Sequence, residues 1–400
     1  MKPTLDDVIK AQSLQCKQII KTPLAYSQTF SKLIGSEVYL KQEFLQKTGS
    51  FKIRGAYFKI KSLTKDEKKH GVVAASAGNH AQGVAFASSL ENIKCTIVMP
   101  KNASPAKVAA TRSYGANVVL SGINYDESFL KAVEIRNQTQ ANIIHAFDDP
   151  HIIAAQGVIG LEILEKLPNV DEIYVPIGGG GLVAGILIAI KTKHPEIKIV
   201  GVQSKSYPSM KHSLECGKVT SIIGKQTIAD GISVSKPGKL TFNIINKLID
   251  NIVLVNDSQI IKTMFLLMER TKMIVEPAGV VGLAHLLDVK PKNKKIVSIL
   301  GGGNVDMYLL GQIVSKGLSQ MGRLIKIFVL LPDKPGTLQT LVNEITSLSI
   351  NIVEVLHDRL SSYIDAGTVG VILSLETENK NKAYKLLENL KDKKINFRLM

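Results

Sequence analysis

Short apolar runs rich in β-branched residues alternate with longer, helix-like stretches over most of the chain. A run of this kind, bounded by turn residues, is typical of a buried strand. Because strands that alternate with helices form parallel sheets covered by helices, the pattern predicts an α/β fold with its ligand-binding loops at the strand ends. The predicted strands are residues 71–75, 94–99, 117–120, 172–176, 197–203, 252–255 and 296–300.

The pattern changes beyond a helix-like stretch at residues 307–319. From Ile325 onward, strand, helix and turn signals follow one another in the order βαββαβ, which is that of a small module with its own core. We therefore place a boundary near residue 322 and expect a domain of residues 1–321 followed by one of residues 322–400. The predicted elements of the second domain are strands at 325–331, 351–357, 368–376 and near 396, and helices at 337–347 and 381–391.

Composition and charge narrow the class of protein. The 400 residues are 45% hydrophobic and 21% charged, which is typical of a soluble globular protein. The formal net charge of +16 comes from scattered lysines, without a basic patch interleaved with aromatic residues, so we expect no nucleic-acid partner. The longest apolar run, residues 182–190, is shorter than the ~20 residues of a membrane span. An acidic N-terminus, where a signal peptide would be apolar, indicates a cytoplasmic protein.

The three cysteines, Cys16, Cys95 and Cys216, are far apart and lack the spacing of metal ligands. We expect them to be reduced, buried thiols, with neither a disulfide framework nor a zinc site. The chemistry of the protein is therefore sought in other side chains.

Lys52 stands in the segment TGSFKIRGA (residues 48–56), which reads as a loop entering a helix. A partly desolvated lysine loses its proton more easily and can then attack a carbonyl to form a Schiff base. A surface lysine at the start of a helix would give the same local pattern. By itself, Lys52 is therefore only a candidate nucleophile.

The segment SAGNHAQG (residues 76–83) directly follows a predicted strand. A strand that ends in Ser-x-Gly-Asn before a helix offers a hydroxyl, an amide and free backbone N–H groups at the positive end of the helix, which suits a carboxylate. Ser76 and Asn79 are therefore candidate ligands for a substrate carboxylate. An ordinary helix cap would also account for them, and His80 alone is more typical of a structural residue.

Four consecutive glycines, residues 178–181, lie between the predicted strand at 172–176 and a predicted helix at 183–191. Without Cβ atoms in the way, successive N–H groups can converge on an anion, and the helix end adds partial positive charge. The loop therefore predicts a phosphate cradle, with a merely flexible loop as the alternative. It lacks both the P-loop lysine and the spaced dinucleotide fingerprint. A second segment, GGGN at residues 301–304, is a weak signal alone.

In their order and spacing, the four segments resemble the fold-type II pyridoxal-phosphate enzymes, and among them the threonine dehydratase branch. The resemblance covers nearly the whole chain and includes TIADGI (residues 227–232) and VEPAG (residues 275–279). It implies two open, twisted α/β sheets of the tryptophan synthase β type, with a smaller subdomain of about residues 45–150 inserted in the larger one. The C-terminal βαββαβ segment, with its DKPG turn at residues 333–336, resembles an ACT domain, a small amino-acid-sensing module.

The resemblance also implies the roles of individual residues. Lys52 would carry pyridoxal 5'-phosphate covalently and, once the substrate has displaced it, remove the α-proton; Ser76 is the second implied catalytic residue. Asn79 would bond the 3-oxygen of the ring, and the substrate carboxylate would lie among Ser76, Asn79 and His80. The implied cofactor contacts are Lys52, Phe51, Asn79, Gly178, Gly179, Gly180, Gly181 and Gly301.

Three features depart from the patterns of related enzymes. Ala77 replaces the serine that acts on the opposite face of the substrate in the serine racemases, which favours elimination over racemisation. Gln203, Tyr207 and Ser209 stand where the racemases have acidic metal ligands, and because they suit a hard cation poorly, we expect no metal there. Gly301 replaces a serine whose hydroxyl usually bonds the pyridine nitrogen, so water or another side chain must meet that nitrogen.

The implied activity is the deamination of L-threonine to 2-oxobutanoate and ammonia, as the first step of isoleucine biosynthesis. A homo-oligomer and an amino-acid effector such as isoleucine near Gly336 are implied as well, although the tail could be a plain dimerisation module. A serine-preferring dehydratase is the alternative enzyme, since the two substrates differ by one methyl group worth ~1–3 kcal/mol. A non-catalytic sensor, suggested by Gly301, is disfavoured by the intact Lys52 and the complete glycine loop.

Overall fold

The computed structural model describes residues 2–15, 18–362 and 364–400, so Cys16 lies outside the described residues. The chain divides into two compact units, residues 1–306 and 307–400. The division falls before the helix at Met307–Gln320, whereas the domain boundary predicted near residue 322 falls after it.

The strands of the first unit include all seven that the apolar runs predicted. They are β1 (Leu24–Tyr26), β2 (Glu37–Gln42), β3 (Val72–Ala75), β4 (Cys95–Met99), β5 (Asn117–Leu120), β6 (Asn142–Ile143), β7 (Glu172–Pro176), β8 (Lys198–Ser204), β9 (Asn251–Val255) and β10 (Lys295–Leu300). Strands β1, β2 and β6 were not predicted. Two of them are very short, and the third, β2, buries Lys41, a charged residue that hides the apolar pattern of a strand.

Helices connect most of these strands, and short 3₁₀ turns lie at Glu43–Leu45, Asp230–Ile232 and Pro277–Gly279. The helices are α1 (Leu5–Gln15), α2 (Gln28–Ile34), α3 (Lys52–Lys61), α4 (Lys65–His70), α5 (Asn79–Leu90), α6 (Pro105–Ser113), α7 (Tyr125–Thr139), α8 (Pro150–Lys166), α9 (Gly181–Lys191), α10 (Ser209–Glu215), α11 (Lys239–Leu248), α12 (Asp257–Thr271) and α13 (Val281–Val289).

The strands of the first unit form two sheets among the described residues. The larger has the order β1-β2-β10-β7-β8-β9 and is parallel except for β1, which pairs with β2 in the antiparallel direction. The smaller has the order β5-β4-β3-β6 and is parallel throughout. All strands of the smaller sheet lie between β2 and β7 along the chain. The prediction of two α/β sheets is confirmed.

Helix α9 carries the glycine loop at its start and is buried along its length from Gly181 to Ile190. A helix that is apolar on all sides belongs in the interior, and α9 packs there against α8. A Cβ at Gly185 would lie 2.2 Å from the backbone oxygen of Ile153, so only glycine permits the two helices to approach so closely. The glycine loop is therefore attached to one of the most firmly packed elements of the unit.

The second unit contains helices α14 (Met307–Gln320), α15 (Thr337–Ser347) and α16 (Lys380–Asp392), and strands β11 (Leu324–Pro332), β12 (Asn351–Asp358), β13 (Thr368–Glu376) and β14 (Asn396–Leu399). Its strands form an antiparallel sheet of order β12-β13-β11-β14. Its core includes Val329 and Leu373 of the sheet together with Leu341 and Leu386 of the helices. The predicted βαββαβ order from β11 to β14 is confirmed, and it is compatible with an ACT-like domain.

The environments of the cysteines and the lengths of the helices bear on two further predictions from the sequence. Cys95 is buried as predicted, but Cys216 is exposed, so that prediction is wrong for Cys216. The reason is its position at the end of α10, where the Cys216 Sγ lies 3.7 Å from His212 Nε2 at the surface. Among the described residues, the helices are too short or too polar to cross a membrane.

Candidate active site

Three strand ends from the two sheets meet at one cavity. The loop after β3 begins with Ser76, the loop after β7 contains residues 178–181, and the loop after β10 begins with Gly301. Together with the start of α3 they line a cavity of about 460 Å³. Every site residue predicted from the sequence lies on its wall: Phe51, Lys52, Ser76, Asn79, His80, Gly178, Gly179, Gly180, Gly181 and Gly301.

Lys52 is the first residue of α3, and its amine reaches into the cavity wall. The Nζ atom donates a hydrogen bond to the backbone oxygen of Ala146 at 3.2 Å and lies 5.2 Å from the centre of the Phe51 ring. Burial lowers the pKa of the amine to about 8, although nearby Glu276 acts in the opposite direction. Roughly one amine in ten is therefore neutral at pH 7, far more than for a surface lysine.

A buried cluster of charges fixes the first turn of α3. Arg54 is 1% exposed, and its guanidinium donates to Glu43 and to Glu162, each at 2.8 Å. Lys41 completes the cluster through a 2.5 Å contact with Glu162. Burial by itself would raise the pKa of Glu43, but Arg54 and Lys41 hold it below its usual value. Because Arg54 lies two residues after Lys52, this cluster anchors the helix turn that carries Lys52.

The glycine loop leads directly into the start of α9. Gly180 caps the helix with a φ of +97°, a conformation that side chains other than glycine rarely adopt. A Cβ at Gly179 would lie 2.3 Å from the ring of Phe147, so no side chain fits between the loop and that ring. The first N–H groups of a helix have no partner within it and carry partial positive charge. The loop therefore suits a phosphate group.

Ser76 and His80 lie on the other side of the cavity, around the start of α5. The Ser76 Oγ accepts a hydrogen bond from the Gly78 N–H at 3.2 Å. His80 is buried, and its Nε2 lies 2.8 Å from the backbone oxygen of Ile144; because a carbonyl oxygen only accepts, Nε2 carries the hydrogen. Burial lowers the pKa of His80 to about 3, with a smaller effect from Lys52. His80 is therefore neutral, and its role toward a carboxylate stays a prediction.

Asn79 belongs to a hydrogen-bond chain that the sequence did not reveal. Its Nδ2 donates to both carboxylate oxygens of Glu276, at 2.7 and 3.0 Å. Its Oδ1 accepts from Asn304 Nδ2 at 2.7 Å, and Asn304 Nδ2 also donates to the backbone oxygen of Thr48 at 2.8 Å. Burial raises the pKa of Glu276 to about 7, although the Asn79 hydrogen bond opposes this. Both partners stood in motifs noted from the sequence, VEPAG and GGGN, but no local signal paired them with Asn79.

Phe147 also belongs to the site, although no sequence pattern pointed to it. It lies on the cavity wall next to Ala146, whose carbonyl accepts from Lys52. The His145 ring meets the Phe147 ring edge-on with centres 4.7 Å apart, and His145 Nδ1 accepts the Phe147 N–H at 3.2 Å. Phe147 therefore gives the cavity an apolar surface in a fixed position beside the glycine loop.

The position where serine racemases are expected to hold a metal is filled by an amide. Gln203 Nε2 donates to the backbone oxygen of Tyr207 at 3.4 Å, and Gln203 Oε1 accepts from the Lys211 N–H at 2.9 Å. Ser209 is buried beside them. Within the described part of the chain, no cluster of three or more His, Cys, Asp or Glu side chains could hold a metal ion.

These features define a class of site: a lysine with a lowered pKa, facing a glycine cradle for an anionic group. Pyridoxal phosphate fits it, because the cofactor brings a carbonyl for the Lys52 amine and a phosphate for the loop at residues 178–181. A Cβ at Gly179 would clash with the Phe147 ring, so the loop keeps this path only with glycine there. At Gly301, a Cβ would lie 3.5 Å from Phe51 Cδ1, so the glycine leaves ordinary space beside the ring.

Comparison with known proteins agrees with this site. Residues 16–302 match the family described as "Pyridoxal-phosphate dependent enzyme". The chain is 46% identical to the L-threonine ammonia-lyase of Thermotoga maritima over 375 residues, which are 94% of each chain. The structure of the processed form of threonine deaminase isoform 2 from Solanum lycopersicum matches with a TM-score of 0.73 at 35% identity, over 78% of this chain and 89% of that one.

A maize serine racemase structure matches with a TM-score of 0.75 at 34% identity, over 80% of this chain and 99% of that one. The family match spans well over half of the chain. The chain belongs to the pyridoxal-phosphate-dependent enzyme family, and its cofactor is pyridoxal phosphate.

Proposed function

We propose that this enzyme is a threonine ammonia-lyase, which converts L-threonine to 2-oxobutanoate and ammonia. The observation that carries the proposal is the position of Lys52: its amine, with a pKa lowered to about 8 by burial, faces the same cavity as the glycine loop and the Ser76 loop. The 46% identity to the Thermotoga maritima enzyme supports threonine as the substrate.

When bound, pyridoxal phosphate supplies an electron sink that stabilises negative charge at the substrate Cα. Lys52 would hold the cofactor carbonyl carbon, and residues 178–181 with the start of α9 would hold its phosphate. Once free, the Lys52 amine removes the proton from Cα, and its lowered pKa makes it available as a base near neutral pH. Ser76 and the start of α5 orient the substrate carboxylate. Loss of the β-hydroxyl as water, followed by hydrolysis of the C–N bond, yields the two products.

Residue 77 supports elimination over racemisation. Racemisation needs a group that returns a proton to the opposite face of Cα, and Ala77 has no hydroxyl to do so. Ala77 lines the cavity next to Ser76. L-Serine, which lacks only the γ-methyl group, is expected to be a second substrate.

The test measures 2-oxobutanoate from L-threonine, with L-serine in parallel, for wild type, Lys52→Ala and Lys61→Ala. Lys61 is a matched control at the far end of α3, paired with Glu91 at 2.7 Å. Lys52→Ala should remain folded, lose the absorbance of lysine-bound cofactor and lose turnover by at least about 10²–10⁴-fold. Lys61→Ala should keep both. Retained turnover in Lys52→Ala would overturn the mechanism, and no turnover of either substrate by cofactor-loaded wild type would overturn the function.

For residues 322–400 we propose an ACT-like regulatory domain that binds an amino acid, with isoleucine as the first candidate. Gly336 caps the start of α15 with a φ of +91°, so the backbone groups at this end of the helix are not covered by a side chain of residue 336. Feedback by isoleucine would place the reaction at the start of isoleucine biosynthesis. We also propose that the enzyme is a cytoplasmic homo-oligomer. If isoleucine and valine both leave threonine kinetics unchanged, the regulatory proposal fails while the catalytic one stands.

A further inference from the structure

Asn79 is held on one side by the side-chain amide of Asn304 and on the other by the carboxyl of Glu276. The Thr48 backbone oxygen only accepts, so Asn304 approaches as a donor and requires the Oδ1 of Asn79 on its side. The Glu276 carboxylate accepts from the opposite side and requires Nδ2 there. Both ends therefore select the same orientation of the Asn79 amide.

We propose that Glu276 is a positioning residue for Asn79, which with Asn304 fixes the amide so that one N–H of Asn79 is left for the cofactor. The two oxygens of one carboxylate are too close together to take separate hydrogens of one amide, so a single Asn79 hydrogen serves Glu276 at 2.7 and 3.0 Å. The other hydrogen remains for a ligand in the cavity. A fixed N–H donor suits a negatively polarised oxygen such as the 3-oxygen of pyridoxal phosphate.

The backbone around Glu276 leaves this side chain little freedom. Its own N–H donates to the backbone oxygen of Gly302 at 2.9 Å, and a Cβ at Gly302 would lie 2.4 Å from Glu276 Oε1. Glu276 is 8% exposed, and the charged groups that act on its carboxyl are Lys52, Lys107 and Asp230. Protonation leaves one oxygen of the carboxyl able to accept, so the contact with Asn79 persists on both sides of the Glu276 pKa of about 7.

The inference rests on the proposed cofactor site, but its test does not need turnover. The measurement is the dissociation constant of pyridoxal phosphate for the cofactor-stripped full chain, followed by absorbance. Glu276→Ala should weaken binding about tenfold, the scale of one hydrogen bond to a charged group. Glu276→Gln keeps an acceptor oxygen for Asn79 and should stay within about threefold of wild type. If only the negative charge of Glu276 mattered, Glu276→Gln would instead weaken cofactor binding as much as Glu276→Ala.

A double-mutant cycle then asks whether Glu276 acts through Asn79. The variant with both Asn79→Ala and Glu276→Ala should bind the cofactor no more weakly than Asn79→Ala alone. Phe147→Ala is the control, because Phe147 packs against the glycine loop at Gly179 and its effect on cofactor binding should multiply with that of Asn79→Ala. Multiplying losses for Glu276 and Asn79, or equal losses for Glu276→Gln and Glu276→Ala, would overturn the proposal. If wild type binds the cofactor normally but does not turn threonine over, only the proposed function fails.

Discussion

The Lys52 amine donates its hydrogen bond to the backbone oxygen of Ala146, a residue 94 positions further along the chain. A carbonyl oxygen holds the amine in place without the full negative charge that would keep it protonated. Burial then outweighs the more distant carboxyl of Glu276, and the pKa of the amine falls to about 8. The contact thus both positions the nucleophile and leaves its proton easy to remove.

This pKa predicts how cofactor uptake depends on pH. Only the neutral amine attacks a carbonyl, so the rate at which the cofactor-free protein takes up pyridoxal phosphate should rise with the pH, with its midpoint near pH 8. Stopped-flow absorbance between about pH 6 and 11 checks this, with a free lysine analogue, whose pKa is about 10.4, as the reference. A midpoint near that of the free amine would show that the amine is not desolvated.

Substitution by alanine should have very different effects on stability at the neighbouring glycines Gly301 and Gly302. Gly301→Ala places its Cβ at an ordinary contact distance, 3.5 Å from Phe51 Cδ1, so the free energy of unfolding should change by less than about 0.5 kcal/mol. Gly302→Ala places its Cβ 2.4 Å from Glu276 Oε1 and 3.0 Å from Asn79 Nδ2, and should cost about 1–3 kcal/mol. Denaturant unfolding of both variants is the measurement. Equal stabilities would contradict the crowding described at Gly302.

Arg54→Met should strongly destabilise the first unit, residues 1–306. It removes the cation that both Glu43 and Glu162 contact at 2.8 Å, and leaves buried carboxylates without their partner, at a cost of about 3–5 kcal/mol. The pKa of Glu43 is lowered in the folded state, so the stability that this carboxylate contributes is present above its ordinary value of 4.5 and is lost as the pH falls below it. Wild type should therefore lose stability in acid more steeply than Arg54→Met.

A surface pair serves as the control for that measurement. Lys69 and Asp66 are 2.8 Å apart but largely exposed, so Lys69→Ala should change the free energy of unfolding by less than about 1 kcal/mol. If Arg54→Met and Lys69→Ala cost the same, the buried cluster does not fix α3 as described.

Phe147→Ala tests the choice between threonine and serine. The ring lines the cavity beside Ala146 and the glycine loop, and we expect it to contact the γ-methyl group that distinguishes threonine. One methyl group is worth ~1–3 kcal/mol, so the threonine-to-serine ratio of kcat/KM should fall by about tenfold or more. Because both substrates are measured on the same variant, any loosening of the cofactor loop cancels in the ratio. An unchanged ratio would assign the methyl contact to another residue.

Local sequence patterns determined much of this protein. Buried strands such as β7 and β8 are continuous apolar runs between turns, and the glycines at residues 178–181 form a run that neither a strand nor a helix would favour. Both the α/β fold and the candidacy of Lys52, Ser76 and this glycine loop were therefore readable. The βαββαβ order of the second unit was equally readable, because each element there has its own periodicity and turn.

Tertiary structure alone decided which side chains meet. Asn79 and Glu276 are 197 residues apart, and nothing local pairs an amide in one loop with a carboxyl in another. Burial also altered residues that the sequence could only name: it lowered the pKa of Lys52, and it placed His80 against the backbone oxygen of Ile144. Periodicity records how each segment faces the interior, but hydrogen bonds and desolvation depend on distances between segments, and those exist only once the sheets have packed.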